Sequence, residues 1–178
     1  MRKMIMAGYG GQGMMLCGQI MAYAAMIEDK YSTWVPSYGP EMRGGAANCH
    51  VIVSDTPIGS PIITVADVVV AMNQPSFNKF ESIICPGGIM IYNSSIVNSP
   101  ESRTDIKYAA IDCSKIIQEL NNPKVGNMVA LGALNALINC VKQESIMEAL
   151  KDKLGDKKAN LLDLNLRAME AGKCAVDV

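Results

Sequence analysis

The chain has 178 residues and a mass of 19.1 kDa, is 49% hydrophobic and 19% charged, and carries a formal net charge of −1. That composition excludes a disordered chain, and the near-neutral charge removes the electrostatic case for binding nucleic acid or an acidic membrane surface. The length suits one domain, residues 1–178, with room for a sizeable core.

Met1-Arg2-Lys3 leads into the apolar Met4-Ile5-Met6-Ala7, but Gly8-Tyr9-Gly10-Gly11 interrupts it before a signal-peptide core can form. Gln19, Glu28, Asp29 and Lys30 break the one long apolar candidate for a membrane span, which needs roughly 18 to 20 uninterrupted residues. The expectation is a soluble, cytoplasmic chain with no membrane partner. Six cysteines stand at positions 17, 49, 85, 113, 140 and 174 with no CxxC pair among them, and His50 is the only histidine. A zinc or iron–sulphur site and a Cys-His hydrolase therefore lack local spacing, and buried free thiols in a reducing compartment are expected.

Lys3 to Ala7 predicts a short buried strand, the glycine turn follows, and Gln12 to Glu28 predicts an apolar helix rich in small residues. Tyr31 to Val35 reads as a second strand, Pro36 to Gly45 as a loop, and Ala47 to Ser54 as a third strand. Val65 to Ala71 is an apolar run fit for a strand covered on both faces, with a helix over Gln74 to Ser82 behind it. Pro86-Gly87-Gly88 reads as a turn into a strand over Ile89 to Tyr92, and Tyr108 to Ile111 as a further strand before a helix over Ser114 to Leu120. From Asn127 the period becomes helical, through Glu144 to Leu154 and Lys158 to Ala171. The fold class is α/β: a three-layer α/β/α, Rossmann-like domain with a mostly parallel sheet and a helical C-terminal portion. Eleven of the 15 glycines and 10 of the 13 methionines fall in residues 1–90, with half the charge of the remainder, which hints at a buried interface there.

Gly8-Tyr9-Gly10-Gly11-Gln12-Gly13 matches G-x-G-x-x-G directly after a strand and opening a helix. Such a turn either cradles an anion with backbone N–H groups or packs strand tightly against helix. Met14 and Met15 stand where a P-loop needs Lys and Ser or Thr, and Val35-Pro36-Ser37 stands where a dinucleotide site needs an acid. A second segment, Tyr38-Gly39-Pro40-Glu41-Met42-Arg43-Gly44-Gly45, holds the only charges between Lys30 and Asp55, a carboxylate and a guanidinium that can clamp a ligand or a partner chain. His50 reads as a packed strand residue and Trp34 as a core or interface anchor.

These two segments, with Ala66 to Gln74, Pro86-Gly87-Gly88 and Asn127 to Gly132, resemble the gamma subunit, or gamma domain, of the 2-oxoacid:ferredoxin oxidoreductases nearly end to end. The resemblance implies a subunit of a complex that oxidatively decarboxylates a 2-oxoacid to acyl-CoA and CO2 and reduces ferredoxin, a reaction of anaerobic metabolism. It implies alpha, beta and often delta chains as partners, with thiamine diphosphate and [4Fe-4S] clusters held by those chains and neither held by this one. It leaves this chain assembly and closure of the coenzyme A site: Gly8, Gly10, Gly11, Gln12, Gly13 and Arg43 toward the coenzyme, and Tyr38, Gly39, Pro40, Glu41, Gly44 and Gly45 toward a partner chain. No catalytic or metal-ligating residue is expected on it, and the isolated chain is expected to be inactive and to form a homodimer. The other readings are a stand-alone dinucleotide-binding Rossmann protein and the beta subunit of an indolepyruvate oxidoreductase.

Overall fold

The computed structural model describes residues 1–39, 45–98, 102–155 and 159–176. Six strands, β1 (Arg2–Tyr9), β2 (Tyr31–Tyr38), β3 (Ala46–Ser54), β4 (Ala66–Ala71), β5 (Ile84–Asn93) and β6 (Lys107–Ile111), form one sheet in the order β2-β3-β1-β4-β5-β6. The helices are α1 (Met14–Ile27), α2 (Gln74–Phe80), α3 (Cys113–Glu119), α4 (Gly126–Ile138), α5 (Gln143–Leu154) and α6 (Ala159–Cys174). The α/β class and the mostly parallel sheet are as expected: β1, β4, β5 and β6 pair in parallel, as βα crossovers require.

The alternation along β1 splits the core. Met4 and Met6 face one side, where α1, α3, α4, α5 and α6 pack, while Ile5 and Ala7 face the other, where Phe77 and Phe80 of α2 lie with Ile63, Val97 and Ile106. Burial on both faces is why β1 and β4 read as continuous apolar runs rather than alternating ones. The second helical layer is thin, with the seven-residue α2 as its one α-helix among the described residues and its N-terminus capped by Asn73, whose Oδ1 accepts the Ser76 N–H at 2.8 Å.

Three local expectations are corrected. The second strand runs on through Pro36 to Tyr38 instead of ending at Val35; β2 is the sheet's edge, where a missing N–H is tolerated. Pro86-Gly87-Gly88 lies within β5, where the pairing with β4 slips from Ala66↔Ile84 to Val68↔Ile89, so the residues that signal a turn make a bulge instead. Gly87 takes φ 78° there, and its N–H donates to the Asp105 carbonyl at 2.7 Å. The parallel pattern is also interrupted: β3 runs antiparallel to both β1 and β2. The segment between β2 and β3 is too short for a crossover, which takes a dozen or more residues, so the two strands form a hairpin.

The end of α1 is tied to the start of α5 by one carboxylate. Glu28 accepts the Lys142 N–H at 2.5 Å and the Lys30 ammonium at 2.9 Å, and Lys30 also donates to the Cys140 carbonyl at 2.6 Å. Burial pushes the Glu28 carboxyl up, but the hydrogen bonds from Lys142, Lys30 and Ser145 outweigh it and hold the group below its ordinary value of 4.5. A depressed carboxyl contributes stability that is present above the unfolded value and is lost as pH falls through the folded one. Glu28→Gln is therefore expected to lower stability by about 1 kcal/mol at pH 7, with the gap to the parent closing in urea titrations carried out below 4.5. A gap that stays constant down that range would place the effect elsewhere.

Candidate functional site

The glycine turn leaves the carboxyl end of β1 beside the carboxyl end of β4, the point where the strand order reverses direction and where ligands of open α/β sheets bind. Gly11 (φ 100°) and Gly13 (φ 77°) take left-handed backbone that a glycine adopts without strain. Gly8 is required for a different reason: a Cβ there would lie 2.5 Å from Gln12 Oε1. The Gln12 side chain folds back under the turn, accepting the Tyr9 N–H at 2.6 Å and donating from Nε2 to the Met72 carbonyl at 3.1 Å. It thereby ties the turn to the end of β4.

Two of the turn's own N–H groups are also used internally. Gly10 donates to the Gly45 carbonyl at 2.9 Å, and Gln12 donates to the Tyr9 carbonyl at 3.0 Å. Among the described residues the N–H groups of Gly11 and Gly13 have no acceptor. The structure therefore brings Gly8, Gly10, Gly11, Gln12 and Gly13 together with Gly45, and Gly39 ends the adjoining β2 with open space around it. Tyr38 closes the β2 ladder opposite Ala47, while Pro40, Glu41, Arg43 and Gly44 lie outside the described residues.

Two cavities flank the turn. One, of about 360 Å³, lies between the turn and the β2 edge and is lined by Tyr9, Met14, Met15, Leu16, Trp34 and Pro36, so it is almost wholly apolar. The other, of about 420 Å³, opens on the β4–β5 side between the turn and the start of α4, with Asn93, Ser114, Lys124 and Asn127 among its polar groups. Asn127 seats against the turn: a Cβ on Gly13 would lie 2.5 Å from its Nδ2, and its carbonyl accepts the Cys17 thiol at 3.2 Å. Asn93 and Asn127 escaped the sequence reading. Asparagine at a strand end or a helix start is also an ordinary turn residue, and only the fold brings these two to one cleft.

The thiols near the site are held protonated. Burial pushes the Cys49 thiol up to about 12, and burial with the Asp112 carboxylate nearby does the same for Cys113. Burial drives Cys17 higher still, with Cys49 adding to it. His50 is held below its ordinary value by burial and then by the Lys79 ammonium, which favours the neutral ring. No cluster of three or more His, Cys, Asp or Glu side chains able to hold a metal occurs among the described residues.

The sheet order weighs against a dinucleotide site. β3 stands between β1 and β2, so the end of β2 lies two strand spacings from the turn, roughly 10 Å. The ribose-binding acid of a dinucleotide fold sits on a neighbouring strand instead. What remains is an α/β domain whose glycine turn is internally braced and flanked by one apolar pocket and one polar cleft. It matches the pyruvate ferredoxin/flavodoxin oxidoreductase family over residues 3–175, and the chain belongs to that family.

Relatives in sequence and in structure agree. The chain is 36% identical over 167 residues to the ketoisovalerate oxidoreductase subunit VorA of Methanothermobacter thermautotrophicus, with 93% of this chain aligned to 34% of VorA, so it spans about a third of that relative. It is 37% identical over 168 residues to the 2-oxoglutarate synthase subunit KorC of Methanocaldococcus jannaschii, covering 91% of this chain and 90% of KorC. The gamma subunit of a keto/oxoacid ferredoxin oxidoreductase from Geobacter sulfurreducens superposes with a TM-score of 0.82 at 31% identity, over 99% of this chain and 98% of that one. The 2-oxoglutarate:ferredoxin oxidoreductase of Magnetococcus marinus, solved with 2-oxoglutarate, coenzyme A and succinyl-CoA bound, gives a TM-score of 0.90 at 27% identity, over 98% of this chain and 31% of that one.

Proposed function

We propose that the chain is the gamma subunit of a multisubunit 2-oxoacid:ferredoxin oxidoreductase. The observation that carries this is its match to KorC and to the Geobacter gamma subunit over nearly the whole of each, with a switch-point site that Gln12 braces rather than leaves open. In the reaction a 2-oxoacid loses CO2, its acyl group passes to the coenzyme A thiol, and the two electrons released reduce ferredoxin. Thiamine diphosphate supplies the carbanion chemistry and [4Fe-4S] clusters carry the electrons, and in this reading both belong to alpha, beta or delta partners in the cytoplasm. This chain, a single domain over residues 1–178, supports assembly and closes the coenzyme A region. Gly8, Gly10, Gly11, Gln12 and Gly13 form one wall of that region and Arg43 approaches a phosphate. Tyr38, Gly39, Pro40, Glu41, Gly44 and Gly45 meet a partner chain.

The test is anaerobic affinity purification of the chain from its own cells, with identification of the chains that come with it. It is joined to an assay of oxoacid- and coenzyme A-dependent reduction of a viologen dye. Recovery of cluster- and thiamine-binding chains with that activity is the expected result, and the oxoacid that supports turnover names the substrate. A chain recovered alone, as a homodimer without activity, overturns the assignment. In the active complex Arg43→Ala is expected to raise the KM for coenzyme A about tenfold, the scale of one charged hydrogen bond to a phosphate, with kcat unchanged. An unaltered KM removes Arg43 from the coenzyme site.

A further inference from the structure

The two edges of the sheet are built differently. β6 has five residues and begins with Lys107, so it is short and guarded by a charge. β2 has eight residues, Tyr-Ser-Thr-Trp-Val-Pro-Ser-Tyr, and none of them is charged. Tyr31 and Val35 are 50% and 40% exposed. Met26 of α1, 58% exposed, lines with Trp34 a cavity of about 510 Å³ alongside the strand. A long, uncharged, partly apolar edge is a template for one further strand.

The register of β2 specifies that strand. Among the described residues β3 is its one neighbour, and Pro36 lies within that pairing, opposite Cys49. A proline in an edge strand turns its nitrogen to the open side, and strand alternation then turns the N–H and C=O of Ser32 and Trp34 to that side as well. An antiparallel copy of the same strand satisfies this pattern. With Thr33 on a two-fold axis, Ser32 of each copy faces Trp34 of the other, and the two pairs exchange both of their N–H···O bonds. The same register sets Tyr31 of each copy opposite Val35 of the other. These are the exposed large apolar side chains of β2 among the described residues, and they meet as aromatic and β-branched pairs at positions where opposed side chains lie closest. At the axis Thr33 meets its own copy. In the single chain its Oγ1 is shielded from solvent and has no hydrogen-bond partner, and a bond between the two hydroxyls supplies one. A strand of unrelated sequence has no reason to be symmetric about Thr33.

We infer that two copies of this chain join through β2, antiparallel about a two-fold axis at Thr33, so that the six-stranded sheet of one copy continues into that of the other. Trp34 packs on the α1 side of the sheet and Tyr31 and Val35 stand on the opposite side, so both faces of the joined edge bury apolar surface. The inference rests on the strand's own pattern and stands or falls separately from the subunit assignment.

The experiment is sedimentation velocity of the purified full chain over a range of micromolar concentrations, where a species of twice 19.1 kDa is expected. Thr33→Lys sets two ammonium groups against each other at the axis and is expected to raise the dissociation constant about tenfold or more. Thr33→Cys tests the register with a side chain of similar size. Opposed Cα atoms at such a position lie about 4.5 Å apart, within reach of a disulfide. Treated with diamide, which takes up two electrons and two protons from the paired thiols, this variant is expected to cross-link into a covalent dimer about tenfold faster than the parent or Val35→Cys, whose thiol faces Tyr31 of the other copy. Near-ultraviolet circular dichroism checks the fold, and if Thr33→Lys fails that check the cross-linking decides alone. A parent that sediments as a monomer throughout leaves the edge to a strand of another chain and overturns the inference. So does an unmoved dissociation constant in folded Thr33→Lys, or cross-linking of Thr33→Cys no faster than that of Val35→Cys. An active complex containing a chain that is monomeric when purified removes the pairing and keeps the subunit assignment, while a lone inactive chain that cross-links at Thr33→Cys does the reverse.

Discussion

Gly132→Ala is expected to destabilise the chain by about 3 kcal/mol, at the upper end of overpacking penalties, and Gly172→Ala by a similar amount. The two glycines form a reciprocal contact between α4 and α6. A Cβ on Gly132 would lie 2.0 Å from the Met169 carbonyl oxygen, and one on Gly172 would lie 1.9 Å from that of Val129. Each glycine thus faces the residue three positions before the other, which makes the helices antiparallel where they touch. The obstructing atoms are backbone, so no rotamer change relieves the clash and one helix must move. Alanine's better helix propensity recovers about 1 kcal/mol at most. Gly59, with open space around its would-be Cβ, is the control: Gly59→Ala is expected to leave the urea midpoint in place. Equal midpoints for Gly59→Ala and Gly132→Ala would mean that the helices do not approach this closely.

Gly13→Ala is expected to cost about 2 to 3 kcal/mol from two sources, left-handed strain of roughly 1 to 2 kcal/mol and displacement of a packed neighbour. The neighbour is Asn127, whose Nδ2, Cγ and Cβ would lie 2.5, 2.9 and 3.0 Å from the new methyl. Gly11→Ala separates the two sources. Gly11 is also left-handed, at φ 100°, but has nothing within 4 Å of its would-be Cβ, so that variant carries the strain alone. The difference between the two unfolding free energies measures the Asn127 contact, and no difference would show that the amide is not seated against the turn.

Much of the architecture was legible in the chain because both faces of the central strands are covered. Met4 to Ala7 and Val68 to Ala71 are apolar without interruption for that reason, and a glycine turn followed by an apolar helix is a strand-turn-helix unit by its pattern alone. The errors fall where one residue type serves two geometries. Proline ends a central strand but is tolerated at an edge, so the sequence alone places Pro36 in a loop; Pro-Gly-Gly makes either a turn or a bulge, and at residues 86–88 the neighbouring β4 decides. The loop between the second and third strands is too short for a crossover, so its length alone marks the antiparallel pairing that the mostly parallel pattern around it hides.

The site was half legible. The glycines of the turn stood out because their spacing is itself the signal, and the structure adds the reason for Gly8, which clears the Gln12 side chain. Asn93 and Asn127 carry no spacing signal, since they come from a strand and a helix 34 residues apart in sequence, and only the fold brings them to one cleft. Gly132 stands in a segment that carries the family resemblance, but nothing in a helical period says that two helices touch backbone to backbone.

The reversed direction of β3 bears on how this surface can diversify. Five of the six strands point their carboxyl ends at the glycine turn, and β3 instead presents its amino end there, so β2 and β3 are paired as a hairpin that opens toward this end of the sheet. A crossover loop must deliver its helix back onto the sheet, whereas a hairpin tip has only to bring its ends together, and doubling its length adds about 0.6 kcal/mol of closure entropy. Insertions here should therefore be tolerated beside the glycine turn while β1, α1 and the brace from Gln12 to Met72 stay in register. The length and sequence of one short stretch can then change while the scaffold stays as it is.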